Sequence, residues 1–476
     1  MQQTLLPPGI LAKDYVTHDT SSHPAVRAQH QRRPWIPVPP RRAVRDDHPD
    51  GDRDGARQRG RRRRRDAAIG SVRRAVTDAA PRPAGEPAEG GPGEVVAAGG
   101  DRAAATVAIL GFSFAMGTGA LVLPLLALAS GYDAASVGFL TAVAALSQFG
   151  FRLLLPWLLG RYPDRGLIVA SAVLIALSYL MLMTTQALPV FVVAQLLQGS
   201  ARALFWTASQ THAIRAGGTA VRSLAGVSVV SSVGSIAGPI VAGVLVTSSL
   251  ELALFVGALG GILAAGVSAR LHRLDPYDRP KRAGRPRVWR RPGVDVACWA
   301  GFTAGGWRAM LASYVPVILQ GAGLPPVIIG SLMALADGSA IASSTALLVR
   351  PSHHVRRAID VGVIAVAASL ASLPFGAHHA VLAGALIMVG GAGSGILVTL
   401  GPALASESVE PGEQGDAISA SGTFRAVGSL VMPAGVAAAL SVVALPIAFT
   451  VAGIGLGLPA LIASLSRRRG VVGGAP

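Results

Sequence analysis

The sequence predicts an all-α membrane protein with about twelve transmembrane helices in two six-helix pseudo-repeats, preceded by a disordered tail. Three observations predict this fold class: residues 103–466 are almost continuously apolar, the arginines of the loops fall in alternate loops, and the two halves of the chain repeat. The chain is 51% hydrophobic and only 14% charged, whereas a soluble domain carries about 25% charged residues. Composition therefore excludes an ordinary soluble domain for most of the chain.

Residues 1–100 form the predicted tail, an Arg-, Pro- and Gly-rich extension without a sustained apolar run. Such a segment buries too little apolar area to offset the entropy of ordering, so we expect it to be disordered. One interpretation of the run Arg61 to Arg65 is binding to anionic lipid or nucleic acid. The other is a solvated tail, or a start codon placed too far upstream of a true start near Val95. Because no nucleic-acid-binding motif accompanies the charge, no nucleic-acid partner is expected.

Twelve apolar stretches follow, each about long enough to cross a hydrocarbon core of ~30 Å at ~1.5 Å per residue. The first six predicted spans cover 103–129, 136–158, 167–186, 189–213, 223–247 and 250–270. The second six cover 294–320, 327–349, 358–376, 380–404, 417–440 and 443–465. The predicted domains are a first bundle (101–270), a basic linker (271–293), a second bundle (294–466) and a tail (467–476).

Loop charge predicts how these spans are oriented. Six loops contain neither Lys nor Arg: 130–135, 187–188, 248–249, 321–326, 377–379 and 441–442. The opposite loops collect the arginines, although one of them is acidic and contains Glu413. Cytoplasmic loops are the ones rich in Lys and Arg, and acids contribute little to this rule, so both termini are predicted to be cytoplasmic. We call the two sides of the bundle the arginine-free end and the arginine-rich end.

The two bundles also repeat each other. A shift of 192 residues places Pro124 on Pro316 and Gly131 on Gly323. Two repeated bundles joined by a linker are typical of transporters that rock one bundle against the other around a site near the middle of the membrane.

A run of small residues lies in the fifth span, Gly234-Ser-Ile-Ala-Gly238-Pro239-Ile-Val-Ala242-Gly243. Small residues let two helices approach closely, and Pro239 removes a backbone hydrogen bond and can bend the helix. The run resembles the helix-5 antiporter motif of the major facilitator superfamily, G-x-x-x-G-P-x-x-G-G, with Ala242 as the only departure. The resemblance covers residues 103–466 and implies export by alternating access. An ordinary helix-packing face is the alternative interpretation.

The loop after the second span is similar to another motif of this superfamily, G-x-x-x-D-R-x-G-R. It reads Gly160-Arg161-Tyr-Pro-Asp164-Arg165-Gly166, which lacks one spacer residue and the final Arg. The resemblance implies a charged contact that pins the two bundles together and gates the conformational change. The alternative is a helix-capping Asp beside arginines that set the topology.

The fourth span contains Gln195-Leu-Leu-Gln198-Gly199, which is similar to the superfamily motif R-x-x-Q-G. Gln195 replaces the Arg that the motif associates with proton coupling, which puts proton coupling through this helix in doubt. Arg202 follows seven residues later on roughly the same helical face and could supply the missing charge.

Charged residues inside the spans are the strongest functional candidates, because each costs at least ~2.5–3.5 kcal/mol without a partner or a wet cavity. Asp337 is the only carboxylate well inside a span, and Arg308 lies at similar depth on the preceding span. Asp337 is a candidate for binding the coupling proton with Arg308 as its partner; a static ion pair is the alternative. Arg202 and Arg425 either meet an anionic substrate or pair with backbone carbonyls, and Arg152 is expected to snorkel.

Polar and aromatic residues complete the predicted cavity for a small-molecule substrate. The candidates are Gln195, Gln198, Arg202, Trp206, Gln210, Trp307 and Arg425. The single cysteine, Cys298, and the paired loop histidines do not have the spacing of a metal site, so neither a metal nor a cofactor is expected.

The predicted function is secondary active export of a small organic molecule by proton antiport, carried out by a monomer in a bacterial inner membrane. Lys occurs only at 13 and 281 while Arg is abundant, a bias typical of GC-rich bacterial genes. The alternative function is uptake or facilitated diffusion of a polar solute. A membrane receptor or enzyme is disfavoured, because the sequence contains no nucleotide loop, metal-ligand cluster or nucleophile–base pair.

Overall fold

The computed structural model describes residues 92–215, 220–276, 288–349, 354–410 and 413–472. Within these ranges the chain forms thirteen α-helices and one short 3₁₀ helix, with no strand. The predicted all-α class is confirmed. Most of the predicted N-terminal tail and residues 277–287 of the predicted linker lie outside the described ranges.

The helices follow the predicted spans closely. The first bundle contains α1 (Pro92–Ala129), α2 (Ala134–Arg161), α3 (Asp164–Thr184), α4 (Leu188–Arg215), α5 (Ala220–Val246) and α6 (Leu250–Ser268). The second contains α7 (Val294–Leu311), α8 (Tyr314–Gly321), α9 (Pro326–Val349), α10 (Val355–Gly376), α11 (Ala380–Glu407), α12 (Gln414–Ala439) and α13 (Leu445–Val472). The first helix begins at Pro92 rather than at 103, and the last ends at Val472 rather than at 465.

The seventh predicted span differs from the structure, which breaks it into α7 and α8. Helix α7 ends with its cap at Ala312, and Ser313 has a non-helical backbone (φ −126°, ψ −75°). Pro316 follows at once and has no N–H to donate to the carbonyl of Ala312, so a continuous helix would lack that bond. Pro124, its repeat-related counterpart, lies inside an unbroken α1. A proline at this position of the repeat therefore allows the helix to break but does not require it to.

The repeat is visible at the ends of these same elements. Gly131 follows α1 with φ +87°, and Gly323 follows α8 with φ +83°. A side chain is disfavoured in this left-handed conformation, so glycine is the residue that ends both helices at the same point of the repeat.

Ten of the helices are long and apolar enough to cross a membrane. Among the described helices, α7, α8 and α12 are the exceptions: α8 has only 8 residues, α7 carries Asp295, Arg308 and several glycines, and α12 is rich in Ser and Gly. Helix α7 carries Arg308 and α12 carries Arg425, and the two helices pack extensively against each other. The most polar helices are therefore neighbours in the second bundle.

Packing within each bundle is tight, and contacts between the bundles are concentrated in two helix pairs, with smaller contacts of α8 on α1 and α2. Helix α1 packs on α5 and α6, and α3 packs on α4 and α6. In the second bundle α11 packs on α9 and α10, and α10 packs on α13. The bundles meet where α5 contacts α9 and where α2 contacts α12.

These contacts close the arginine-free end. A Cβ atom on Gly330 would lie 2.1 Å from the carbonyl oxygen of Pro239, and one on Gly243 would lie 2.6 Å from that of Pro326. The hydroxyl of Tyr314 donates to the carbonyl oxygen of Pro433 beside α2 (3.4 Å). Glycines let the backbones of α5 and α9 touch across the interface between the bundles.

The bundles separate toward the arginine-rich end. The glycines whose added Cβ would clash across the interface, Gly138, Gly243 and Gly330, all lie near the arginine-free end, whereas Gly150, Gly226 and Gly422, toward the other end of α2, α5 and α12, would meet no atom within 4 Å. The space between the bundles therefore opens toward the arginine-rich end and is closed at the other.

Candidate functional site

An ion pair joins α7 and α9 of the second bundle. The guanidinium of Arg308 donates to the carboxylate of Asp337, and the two side chains are 41% and 18% exposed. They belong to helices that are consecutive spans of the second bundle, with the short α8 between them. The sequence placed these two residues at similar depth, and the structure brings them into contact.

The pair faces the first bundle through a small pocket. Besides the two charged residues, the walls of this pocket include Gly117 of α1 and Ser235 and Pro239 of α5. A Cβ on Gly117 would lie 2.9 Å from the Pro239 ring, so α1 and α5 are in close contact here. The proline of the small-residue run therefore lies in the same pocket as the ion pair, although the two belong to different bundles.

Three further arginines lie near this pair, giving four arginines and one carboxylate at mid-depth. Counting ~1.5 Å per residue along each helix, Arg152, Arg202, Arg308, Asp337 and Arg425 lie about 13 to 21 Å from the arginine-rich end. Arg425 is repelled electrostatically by both Arg152 and Arg308, and Arg202 is repelled by Arg308. The site therefore carries an excess of positive charge.

The partners of these arginines differ. Arg152 extends from α2 to the second bundle, where it donates to the carbonyl oxygen of Gly422 on α12 (3.2 Å). It was expected to snorkel; instead it bridges the two bundles. Arg202 has a buried Nε that makes no hydrogen bond within the described residues. Arg425 is exposed on α12 and makes no hydrogen bond within the described residues.

The aromatic candidates divide into one beside the cavity and one in the core. Trp206 is half-buried on α4, one turn after Arg202, and lies edge-on to Phe112 and Phe205, whose rings stack at 3.7 Å. Trp307 is only 2% exposed. Its ring lies against Gly390 of α11, where a Cβ would come within 2.3 Å of it. The structure thus places Trp307 in the core of the second bundle and not on a cavity wall.

The glutamine candidates lie along α4. Gln195 and Gln198 are buried, and the side-chain Nε2 of Gln198 has no hydrogen-bond partner within the described residues. Gln210 is exposed nearer the arginine-rich end. The side chain of Gln198 is therefore the one glutamine among these three with a buried, unpaired donor.

The loop motif makes its contacts inside the first bundle. Asp164 is buried at the start of α3, and its Oδ2 accepts from Arg215 at the end of α4 (3.1 Å). Arg165 donates to the carbonyl oxygen of Leu271 (3.3 Å). The expected contact between the bundles is absent from the described residues in this conformation, because the arginine-rich end is open. Gly160 lies exposed in the last turn of α2.

Two charged contacts at the arginine-rich end were not predicted. Glu413 is buried at the start of α12 and accepts from both terminal nitrogens of Arg291, one at 2.9 Å. His212, at the end of α4, lies 3.0 Å from the carboxylate of Asp101, on α1. The sequence signal for the first was an acid in an otherwise basic set of loops. Each contact joins residues of a single bundle, so each stabilises that bundle and not the interface between the bundles.

No cluster of side chains among the described residues could hold a metal ion.

Comparisons with known proteins agree with this architecture. A family model described as Major Facilitator Superfamily matches residues 104–433. A solved structure of a variant of the nucleoside transporter NupG is 13% identical with a TM-score of 0.64, covering 77% of this chain and 99% of that one. A POT family transporter in complex with a thioalcohol-conjugated peptide is 10% identical with a TM-score of 0.60, covering 77% and 96%. At such identities the likeness shows the fold alone. None of the curated proteins compared with the chain matches it.

Proposed function

The chain belongs to the major facilitator superfamily, and on that premise we propose that this secondary transporter exports small organic molecules by proton antiport. The superfamily and the transporter fold make it a transporter rather than an enzyme. The direction of transport and its coupling to protons are proposals that go beyond this family assignment. They are argued from the small-residue run in α5 and from the ion pair between Arg308 and Asp337.

The observation that carries the proposal is the shared pocket of Asp337 and Pro239. Asp337 and Arg308 belong to the second bundle, whereas Ser235 and Pro239 belong to the first. When the bundles rock, the wall that α5 provides moves relative to the pair. A movement of one bundle thereby changes the surroundings of Asp337, the only carboxylate at mid-depth among the described residues.

The proposed cycle uses Asp337 as the proton site. In the conformation open to the arginine-rich end, Arg308 stabilises the Asp337 carboxylate. When the two side chains separate, Asp337 loses the neighbouring guanidinium of Arg308. A desolvated carboxylate without a neighbouring cation takes up a proton. Proton release on the arginine-rich side then restores the pair. Protons that move inward down their gradient would in this way return the empty transporter to the conformation open at the arginine-rich end. The substrate moves outward in the same cycle.

The uptake or facilitative transport of a polar solute is the second candidate. Gln195 favours it, because this position is an Arg in the motif that the resemblance associates with proton coupling. In that case the Arg308–Asp337 pair is a static contact, and removing its charge affects stability more than coupling.

The proposed location is a bacterial inner membrane, with the arginine-rich end and both termini in the cytoplasm. The distribution of arginine between the two ends supports this orientation. The proposed active unit is a monomer, since the cavity, the ion pair and the α5 run all lie within one chain.

The test is export in an efflux-deficient bacterium and in inside-out vesicles prepared from it, using a broad compound panel. Wild type, Asp337→Asn and Arg308→Ala are compared at matched membrane expression, with Asp416→Asn as the control for the same chemical change at a helix end. We expect resistance and pH-gradient-driven accumulation in wild type and in the control, and a loss of at least tenfold in Asp337→Asn. Gradient-driven transport that survives Asp337→Asn would remove Asp337 from the proton path.

A further inference from the structure

We propose that a groove between α12 and α13 binds one acyl chain of a phospholipid from the leaflet at the arginine-free end. The groove has a volume of about 480 Å³ and is lined by residues of α7, α12 and α13. Ligand sites in proteins have volumes of about 300–1,000 Å³, so the groove is large enough for a ligand. The inference is independent of the direction of transport and of its coupling to protons.

The groove exists because α12 and α13 pack on different partners. The two helices are consecutive in the chain but make few contacts with each other: α12 packs on α7 and α2, and α13 packs on α10. Each wall of the groove carries a glycine, Gly435 on α12 and Gly455 on α13. A Cβ on either glycine would meet no atom within 4 Å. The space between the two helices is therefore not closed by side chains.

The first bundle has a larger side chain at the position that corresponds to one of these glycines. A shift of 194 residues places Pro239 of α5 on Pro433 of α12. The same shift places Val241 on Gly435, so the wall of the groove lacks the side chain that α5 carries. The glycine on this wall is therefore particular to the second bundle.

The lining of the groove is apolar. Among its lining residues, only Trp299 of α7 has a polar group in its side chain, and its Nε1 donates to the carbonyl oxygen of Leu456 on α13 (3.3 Å). A peptide or a polar solute would find no side chain there to pair with its polar groups, and burying such groups unpaired is costly. A hydrocarbon chain has no polar groups to pair, so it is the ligand that this lining favours.

The groove faces the hydrocarbon of the membrane. Three of its lining residues, Val431, Ile447 and Val451, are 46%, 54% and 61% exposed, and α13 is one of the helices that can cross a membrane. Along α13 the groove extends from Ile447, near the arginine-free end, to Leu456, a distance of about 14 Å at ~1.5 Å per residue. One leaflet contributes about half of the ~30 Å hydrocarbon core. A chain that enters at the arginine-free end therefore lies along the groove for the depth of its leaflet.

Packing distinguishes this chain from the other lipid chains around the protein. Lipid tails are as apolar as leucine, so removal from water does not favour binding and van der Waals contact decides it. Helix α7 contributes Trp299 and Phe302, whose rings stack at 5.1 Å, and α12 and α13 contribute the two walls. A chain enclosed by three helices gains dispersion contacts along its length. We therefore expect it to be retained when the surrounding lipid is exchanged for detergent.

The tail of the lipid is recognised here, and the headgroup is not. Residues 440–444, which connect α12 to α13 at the arginine-free end, contain no charged residue that could bind a headgroup. A segment of the same chain is a poor occupant, because residues 1–91 contain no sustained apolar run. A second copy of the protein is the alternative occupant that the experiment distinguishes.

The experiment counts the phospholipids that the purified full chain retains in detergent, by native mass spectrometry. Wild type is compared with the double variant Ala439→Leu and Gly455→Leu, which places a leucine on each wall of the groove. The matched control is Ala438→Leu and Gly266→Leu, two exposed positions of α12 and α6 outside the lining. The probes are dioleoyl phosphatidylcholine, dioleoyl phosphatidylglycerol, oleoyl lysophosphatidylcholine and glycerophosphocholine.

We expect wild type and the control to retain one dioleoyl lipid with either headgroup, and the blocked variant to show at least tenfold lower occupancy. The single-chain lipid should bind as well, whereas glycerophosphocholine should not bind. The single-chain lipid should also raise the thermal unfolding midpoint of delipidated wild type and of the control. It should not raise that of the blocked variant, which should unfold no lower than delipidated wild type because its leucines fill the groove.

Four results would overturn the proposal: equal retention in all three proteins, no retention in wild type, retention that depends on the headgroup, or a dimer that only the blocked variant loses. The last result would assign the groove to a second copy. A measurement on wild type alone guards against a misfolded blocked variant. A phosphatidylcholine with a diazirine in its acyl chain, retained through detergent exchange and then photoactivated, should label residues 431–456 and α7. Labelling spread evenly over the lipid-facing helices would refute the site.

Discussion

Substituting Gly330 by Ala should shift the carrier away from the conformation described here. A Cβ at this position of α9 would lie 2.1 Å from the carbonyl oxygen of Pro239 on α5, where ordinary van der Waals contact begins at 3.4 Å. The neighbour is backbone, which cannot rotate away as a side chain can. The two bundles must therefore move apart at the arginine-free end.

The magnitude follows from the cost of overpacking. Adding a methyl group to a tightly packed contact costs about 1–3 kcal/mol. The cost applies only to the conformation in which α5 and α9 touch, because the opposite conformation opens this end. An energy of that size shifts a two-state equilibrium by roughly 5- to 150-fold. Gly330→Ala should therefore populate the conformation closed at the arginine-rich end.

The assay is a distance measurement between spin labels on the two bundles at the arginine-rich end. Labels are attached to Arg161→Cys on α2 and Glu407→Cys on α11, both exposed, after the buried Cys298 is replaced by Ser. The control is Gly435→Ala on α12, where a Cβ meets no atom within 4 Å. We expect a shorter distance population in Gly330→Ala than in the control. Identical distance distributions in the two variants would refute the reasoning.

Three further predictions concern stability, each measured by thermal or denaturant unfolding in detergent. Glu413→Gln should lower the unfolding free energy by about 1–2 kcal/mol, because it removes the buried carboxylate that accepts from Arg291, whereas the half-exposed Arg291 stays hydrated; no loss would show that the contact does not stabilise the fold. Asp133→Ala should cost about 1 kcal/mol by removing the N-cap of α2. The pKa of Asp133 is held below its usual value by hydrogen bonds from Ser136, so the difference should be present at neutral pH and vanish as pH falls through that lowered pKa; a constant difference would contradict this. Phe205→Ala should cost about 3–5 kcal/mol, whereas the 51% exposed Phe139 should tolerate Ala with a much smaller loss.

Much of the fold followed from the sequence, because a span is a local property. Each helix needs only an apolar stretch of the right length, and loop charge marks the ends that resist translocation. The similar depth of Arg308 and Asp337 also followed, since depth can be counted along consecutive spans. Their contact did not follow, because α7 and α9 do not pack extensively against each other and only the structure shows that the two side chains meet. The break between α7 and α8 did not follow, because Pro124 and Pro316 look alike in the sequence and only Pro316 lies behind a break.

Whether a residue faces the core or a pocket was less predictable, because this depends on the rotation of its helix about the helix axis. Trp307 and Arg308 are adjacent on α7, yet the first lies in the core and the second lines a pocket. Every face of these helices is apolar, since lipid and core are alike in hydrophobicity, so no periodic pattern separates cavity from core. The partner of Asp164 was also beyond the sequence, because it depends on which end of the carrier is open.

By itself, the sequence determined the all-helical class, the arginine-rich and arginine-free ends, the repeat and the presence of charged residues inside the spans, because each of these depends on residue type and on position along one chain. Only the tertiary structure decided which arginines have partners, that Pro239 shares a pocket with Asp337, and which end is closed. Those facts depend on distances between separate helices. Such distances are set by the packing of small residues such as Gly330, where a single methyl group is enough to change the contact.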